Sequence, residues 1–150
     1  MTRLAYRELE SAYKGTDSHR SETDELKALG TGFCISCYHM KDWLRSDPAM
    51  PLSAQQRVEA YVKLSTSLSL CGDVANSAKH RNRHPGQTEA RIAGIRSRTD
   101  GGITRISMHV SYHRTDGSAG RRDVLDLARE AMEPWLGFFV QHGLQEPSDP

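Results

Sequence analysis

Histidine beside a carboxylate is the usual material of general acid–base sites and of metal ligation, and the chain carries that combination twice. His39 and Asp42 stand three residues apart, next to Tyr38 and to Trp43, whose indole suits stacking on a planar ligand. Asp73, Asn76 and His80 follow at i, i+3 and i+7, which lines them along one helix face, with Lys79 and Arg81 beside them. Both groups are candidate catalytic sets, and Tyr38, Trp43 and Lys79 are candidate ligand-binding residues. Each group also has a plain structural explanation. His39 and Asp42 would pair on a helix surface or cover Trp43, and the second trio would tie a helix end to the segment after it.

The run Cys34-Ile35-Ser36-Cys37-Tyr38-His39 has the look of a metal knuckle. A zinc knuckle places its thiolates on a turn and needs a second ligand pair, of which Cys71 supplies one member at most. Core thiols are therefore expected, with no metal and no cofactor. Three cysteines without paired spacing also argue against a secreted disulfide framework. Gly-rich phosphate loops, dinucleotide fingerprints, Gly-x-Ser-x-Gly elbows and zinc-protease motifs are all missing from the sequence, so nucleophilic catalysis has no support there.

Charge is unevenly spread. The net charge is +1, but from Lys79 to Arg122 there are ten Lys or Arg against three acids, a local +7, and the rest of the chain carries −6. Such asymmetry points to an anionic partner, RNA first, although a solvated sheet face is the commoner cause. Arg81, Arg83, Arg96 and Arg98 are the candidate phosphate contacts. The run Lys79-His80-Arg81-Asn82-Arg83-His84 is the most cationic short stretch, only part of which is explained by basic residues favouring a helix C-terminus.

These residues need elements to hold them. The apolar spacing predicts helices over about 2–13, 21–45, 53–80 and 124–142, with stops at Gly15 and Gly143, a capping box at Ser21 and Asp24, and caps at Ser53 and Asp123. The third helix is expected to be continuous on the stripe Val58, Tyr61, Leu64, Leu68, Cys71, Ala75 and Ala78. Gly30 and Gly32 suggest a close neighbour or a bend. The period then changes to two. Strands are predicted at about 90–98 and 103–114, and a third near 120–122, with Thr99-Asp100-Gly101-Gly102 as a hairpin turn. In the second strand Ile106, Met108, Val110 and Tyr112 share one face, and Arg105, His109 and His113 the other. The fold class is α+β, mainly α: one domain, a bundle of about four helices with an antiparallel hairpin or three-stranded meander before the last helix. If the second and third helices form a tight hairpin, His39 faces Tyr61 and lies roughly 18 Å along the axis from Asp73. Two separate sites are then expected.

At 150 residues, 37% hydrophobic and 26% charged, the chain is globular in composition. It has no apolar run of membrane-spanning length. The charged start Met1-Thr2-Arg3-Leu4-Ala5-Tyr6-Arg7 is unlike a signal peptide. A cytoplasmic protein is expected.

A bundle carrying Tyr-His-x-x-Asp-Trp at 38–43 and Asp-x-x-Asn-x-x-Lys-His at 73–80, then strands and a Trp-bearing last helix, resembles uncharacterised bacterial proteins related to HEPN domains. The likeness runs from about Leu26 to Leu144. It implies a dimeric helical protein engaging RNA, in a ribonuclease, toxin–antitoxin or defence setting. The family's ribonucleases carry an Arg followed after four to six residues by a His. No Arg in this chain has a His at that spacing, so cleavage does not carry over residue by residue. The alternative function is a small-molecule-binding protein or enzyme with a pocket near His39, Asp42 and Trp43, and a third is a non-catalytic interaction module.

Overall fold

In a computed structural model, residues 2–14, 16–17, 23–80 and 86–145 are described. The expected stop at Gly15, the cap at Ser21 and the phosphate contacts at Arg81 and Arg83 lie outside them. Among the described residues a bundle of five helices covers one face of an antiparallel sheet, four of them touching it directly, so the fold is α+β and mainly α, with the meander before the last helix. Among the described residues no helix is long and apolar enough to cross a membrane.

Helix α1 (Thr2–Lys14) packs on α2 (Thr23–Ser46), with Leu9 and Ala12 buried and Tyr6 edge-on to Phe33. Gly30 explains how close α2 comes to the sheet. A Cβ at that position would collide with the Ile92 side chain and crowd Val124. Gly32 plays no such part, because the space beside it is open. The turn after α2 is tied by Asp47, whose carboxylate accepts from the Ala49 N–H and whose carbonyl accepts from the Met50 N–H.

The expected helix over 53–80 is two helices, α3 (Leu52–Leu64) and α4 (Thr66–Lys79). The break is at Ser65, which is extended at φ −84° and ψ 119°. Its hydroxyl accepts from the Leu68 N–H at 3.3 Å and so caps α4. Ser65-Thr66-Ser67 is a run of side chains that compete with the helix backbone for its hydrogen bonds. The continuous stripe fails there too: Leu64 is 87% exposed. Nor does Ser53 cap α3. Pro51 takes the N-cap position, without a side-chain bond, and Ser53 lies inside the helix with its hydroxyl 3.4 Å from His142 Nδ1.

Helix α5 (Val124–Gln141) starts at Asp123, whose Oδ1 accepts from the Leu125 and Asp126 N–H groups. Pro134 stands inside it and has no N–H for the carbonyl of Glu130, one turn back. The Ser67 hydroxyl donates to that carbonyl instead, at 3.1 Å, and the Tyr61 hydroxyl donates to the Pro134 carbonyl at 2.6 Å. The break between α3 and α4 and the proline in α5 thus dock onto each other.

Strands β2 (Glu89–Asp100), β3 (Ile103–His113) and β4 (Ala119–Asp123) form the meander. Gly101 and Gly102, at φ 57° and 78°, make the two-residue hairpin turn. A fourth, two-residue strand, β1 (Thr16–Asp17), pairs with Ile103 and Thr104 of β3. It lies outside the 90–122 span expected for strands, because two residues carry no alternation to read. β3 is central, with β2 on one edge and β1 and β4 sharing the other. Ala90, Ile92, Ile106, Met108 and Val110 are buried against the helices.

Tyr13 closes the gap on the shared edge. Its hydroxyl accepts from the Met108 N–H at 2.9 Å, and lies 3.0 Å from the Met108 carbonyl and 3.2 Å from Asp123 Oδ2, the two acceptors for its own proton. Burial pushes its pKa from 10.0 up to about 12. A raised tyrosine pKa means that the folded chain holds the proton more tightly than the unfolded chain. The associated stability is present below pH 10 and is lost as pH rises towards 12. Tyr13→Phe should cost about 1–2 kcal/mol at neutral pH, by leaving the Met108 N–H without its partner. It should also flatten the alkaline limb of the stability curve, leaving the contributions of Tyr61, Lys41 and Cys71, whose pKa values are also raised. Urea melts of both proteins between neutral pH and pH 11 check this; an unchanged alkaline limb in the variant would refute it.

Candidate nucleic-acid interface

The face of the sheet turned away from the helices is built by strand parity. Along β3 the odd residues Arg105, Ser107, His109, Ser111 and His113 alternate with the buried set. The register sets Arg98 opposite Arg105, Arg96 opposite Ser107, Ala93 opposite His109 and Arg91 opposite Ser111. On the other side Arg121 of β4 is also opposite Ser111.

That arrangement depends on a bulge. β2 has one extra residue between Ala93 and Arg96, where Gly94 adopts φ 66°. Without the bulge, parity would turn Ile95 outwards and Arg96 and Arg98 into the core. Glycine is the residue that takes this left-handed conformation without strain. The bulge therefore reconciles two apolar residues spaced three apart, Ile92 and Ile95, with the two outward arginines that follow.

The result is an open face bearing Arg91, Arg96, Arg98, Arg105 and Arg121, with His109 and His113 among them and the acids Glu89 and Asp100 at the two ends of β2 on the same parity. Arg91 pairs with Glu89. Among the described residues the other four arginines make no ion pair. Arg98 and Arg105 face each other directly, and like charges opposite one another in a ladder are destabilising. His109 Nδ1 lies 3.4 Å from the Gly94 carbonyl. A carbonyl only accepts, so that bond assigns the proton to Nδ1 and leaves Nε2 of the neutral ring as an acceptor. Arg96, Arg98 and Arg105 were legible from the sequence; Arg91 and Arg121 join them only through the pairing register.

The helix clusters are arranged differently. Because the chain breaks at Ser65, α4 folds back along α2, and Gly72 lies against the Tyr38 ring, where a Cβ would be 2.6 Å from Cε2. Tyr38 is thereby brought to Asp73 and Asn76, and with Lys41, Glu59 and Lys63 they line a cavity of about 100 Å³. The expected axial offset does not hold for Tyr38, which meets Asp73 and Asn76, but the His39–Asp42 pair stays apart from them. His39, Asp42 and Trp43 do not line the cavity, and Trp43 is 50% exposed.

Asp42 holds an exposed network instead. Its Oδ2 lies 2.9 Å from His39 Nδ1, and its Oδ1 accepts from Lys41 at 3.3 Å and Arg45 at 3.4 Å. The His39 bond, with Lys41, keeps its carboxyl below the ordinary value of 3.8. Lys41 is the buried cation, with its ammonium 2.9 and 3.1 Å from the two Glu59 oxygens and 4.7 Å from the centre of the Tyr38 ring. Burial alone would lower its pKa, but Glu59, Tyr38 and Asp42 together raise it above 10.5. The sequence reading missed both Lys41 and Glu59; a lysine interrupting the apolar stripe Cys37–Leu44 was the available signal.

Asp73 is bound to Arg114 Nε at 2.9 Å. His80 is not drawn into that group. It is the C-cap of α4, its N–H donates to the Asn76 carbonyl, and its ring is exposed, as is Lys79. Cys34, Cys37 and Cys71 are free and buried. The two neighbouring thiols and burial push the Cys71 pKa well above 9.0, which makes it a poor nucleophile. Among the described residues no group of His, Cys, Asp and Glu is placed to hold a metal ion. No protein-family model, curated protein sequence or solved structure matches the chain.

Proposed function

We propose that the protein binds RNA through the open face of its sheet, as a HEPN-like partner of an anionic polymer. The observation that carries this reading is the opposition of Arg98 to Arg105, with Arg96 beside them and no acid paired to any of the three among the described residues. A merely solvated face gains nothing from that repulsion, whereas a bound phosphate chain relieves it. The His39–Asp42 and Asp73–Arg114 pairs lie away from the sheet's open face, the first on the helices and the second between α4 and the end of β3, which favours binding over cleavage. The small-ligand alternative has the cavity behind it. Its volume of about 100 Å³ holds roughly three waters, well below the ~300 Å³ where ligand pockets begin.

Counterion release sets the size of the test. Phosphate contacts from the four arginines without an ion pair among the described residues predict that RNA affinity falls roughly 50- to 150-fold between about 50 and 200 mM salt. Replacing Arg96, Arg98 and Arg105 together by Ala should reduce the slope of log affinity against log salt by about 2 to 3. The melting temperature should hold or rise, since a like-charge pair is removed. Fluorescence anisotropy of labelled RNA measures both. RNA that fails to bind at low salt, or binds without salt dependence, would overturn the reading.

A further inference from the structure

We infer that this face grips the backbone of a double-stranded polynucleotide rather than the bases of a single strand. The inference rests on the proposed RNA-binding reading and narrows its substrate. Proteins that hold single strands stack successive bases on aromatic side chains. The chain has ten Phe, Tyr and Trp residues. Nine stand on helices, and the tenth, Tyr112, belongs to the covered parity of β3 and packs against the core. None is on the open face.

What the face offers is guanidinium and hydroxyl groups on a rigid ladder. Arg91 and Arg121 flank Ser111 on adjacent strands, so their Cα atoms are about 10 Å apart. Ser107, beside Arg96, is four residues away along the same strand, roughly 13 Å. These are two cation–hydroxyl groups at a fixed separation. A duplex presents phosphates at fixed spacing and can meet both at once, while a single strand must first be ordered to do so. Between them stands His109, whose Nδ1 faces the Gly94 carbonyl, so that in the neutral ring Nε2 is an acceptor for a hydroxyl proton. A ribose 2′-hydroxyl supplies that proton and deoxyribose does not, so the chemistry shared by RNA and DNA duplexes is the phosphate backbone and the hydroxyl separates them.

The full chain is titrated at low salt against three labelled probes: an RNA duplex of about 20 base pairs, longer than the roughly 16 that a double-stranded-RNA domain spans, a DNA duplex of the same length, and a uridine single strand. The RNA duplex should bind about tenfold or more tighter than the single strand, because only it presents ordered phosphates. Arg98→Ala with Arg105→Ala should weaken duplex binding without lowering the melting temperature. Equal or tighter binding of the single strand would sink the duplex inference and leave the RNA-binding reading standing. Failure of all three probes to bind, or duplex affinity unchanged in the double variant, would sink both. Equal binding of the two duplexes supports the backbone grip and removes the ribose contact of His109.

Discussion

Trp135→Ala should lower the unfolding free energy by about 3–5 kcal/mol, the range for emptying a large buried aromatic site. The side chain is 1% exposed and stands where α5 meets α2. Its ring lies edge-on to Phe138 at 6.0 Å and stacked on Phe139 at 6.5 Å, and its Nε1–H donates to the Cys37 carbonyl at 3.1 Å. Alanine removes the apolar contacts and the hydrogen bond together. Trp135→Phe keeps most of the former and loses the latter, so it should fall between the wild type and Trp135→Ala. Urea denaturation of the three proteins orders them. Equal midpoints for alanine and wild type would mean that this aromatic cluster is not the centre of the core.

Glu59→Ala should cost about 1–3 kcal/mol, below the range for a fully buried pair because the Glu59 side chain is 40% exposed. The loss falls on Lys41, whose side chain is 9% exposed and would keep only Asp42 and the Tyr38 ring as partners. Replacing both residues, Glu59→Ala with Lys41→Met, should recover most of that loss, since no buried charge then remains. A double variant no more stable than Glu59→Ala would show that Lys41 is not left stranded. The pH dependence has a definite sign at each end. Lys41 has a raised pKa, so its contribution is complete below pH 10.5 and fades as pH rises above it. Asp42 has a lowered one, so its contribution is complete above pH 3.8 and fades as pH falls through the folded value.

The period-two alternation of 103–113 was legible because one face of a half-buried strand must be apolar, and Arg105, His109 and His113 stood out against it. Asp123 was legible as a cap because its carboxylate has one local task. The split of the third helix was not. Leu64 fits the stripe as well as any residue, and the decision at Ser65 is made by distant groups, Ser67 reaching Glu130 and Tyr61 reaching Pro134 in a helix some sixty to seventy residues away. The meeting of Tyr38 with Asp73 follows from the same fold-back, so it was hidden for the same reason. The membership of Arg91 and Arg121 in the basic face needed the register of three strands, and local sequence does not contain it. Gly94 was a readable sign of that register, since apolar residues three apart within a strand ask for a bulge.

The Tyr13 hydroxyl meets the central strand 95 residues further along the chain, at a stretch of edge that neither β1 nor β4 covers. Helix α1 is therefore a stopper as well as a layer of the core. With it in place, the sheet presents no open ladder at Met108 for another molecule to join. A chain that loses α1 by proteolysis keeps the locally closed β2–β3–β4 meander but bares backbone groups on its middle strand, the kind of template on which strands of separate molecules pair. Damage at the amino end should then appear first as self-association, with soluble oligomers accumulating before secondary structure is lost.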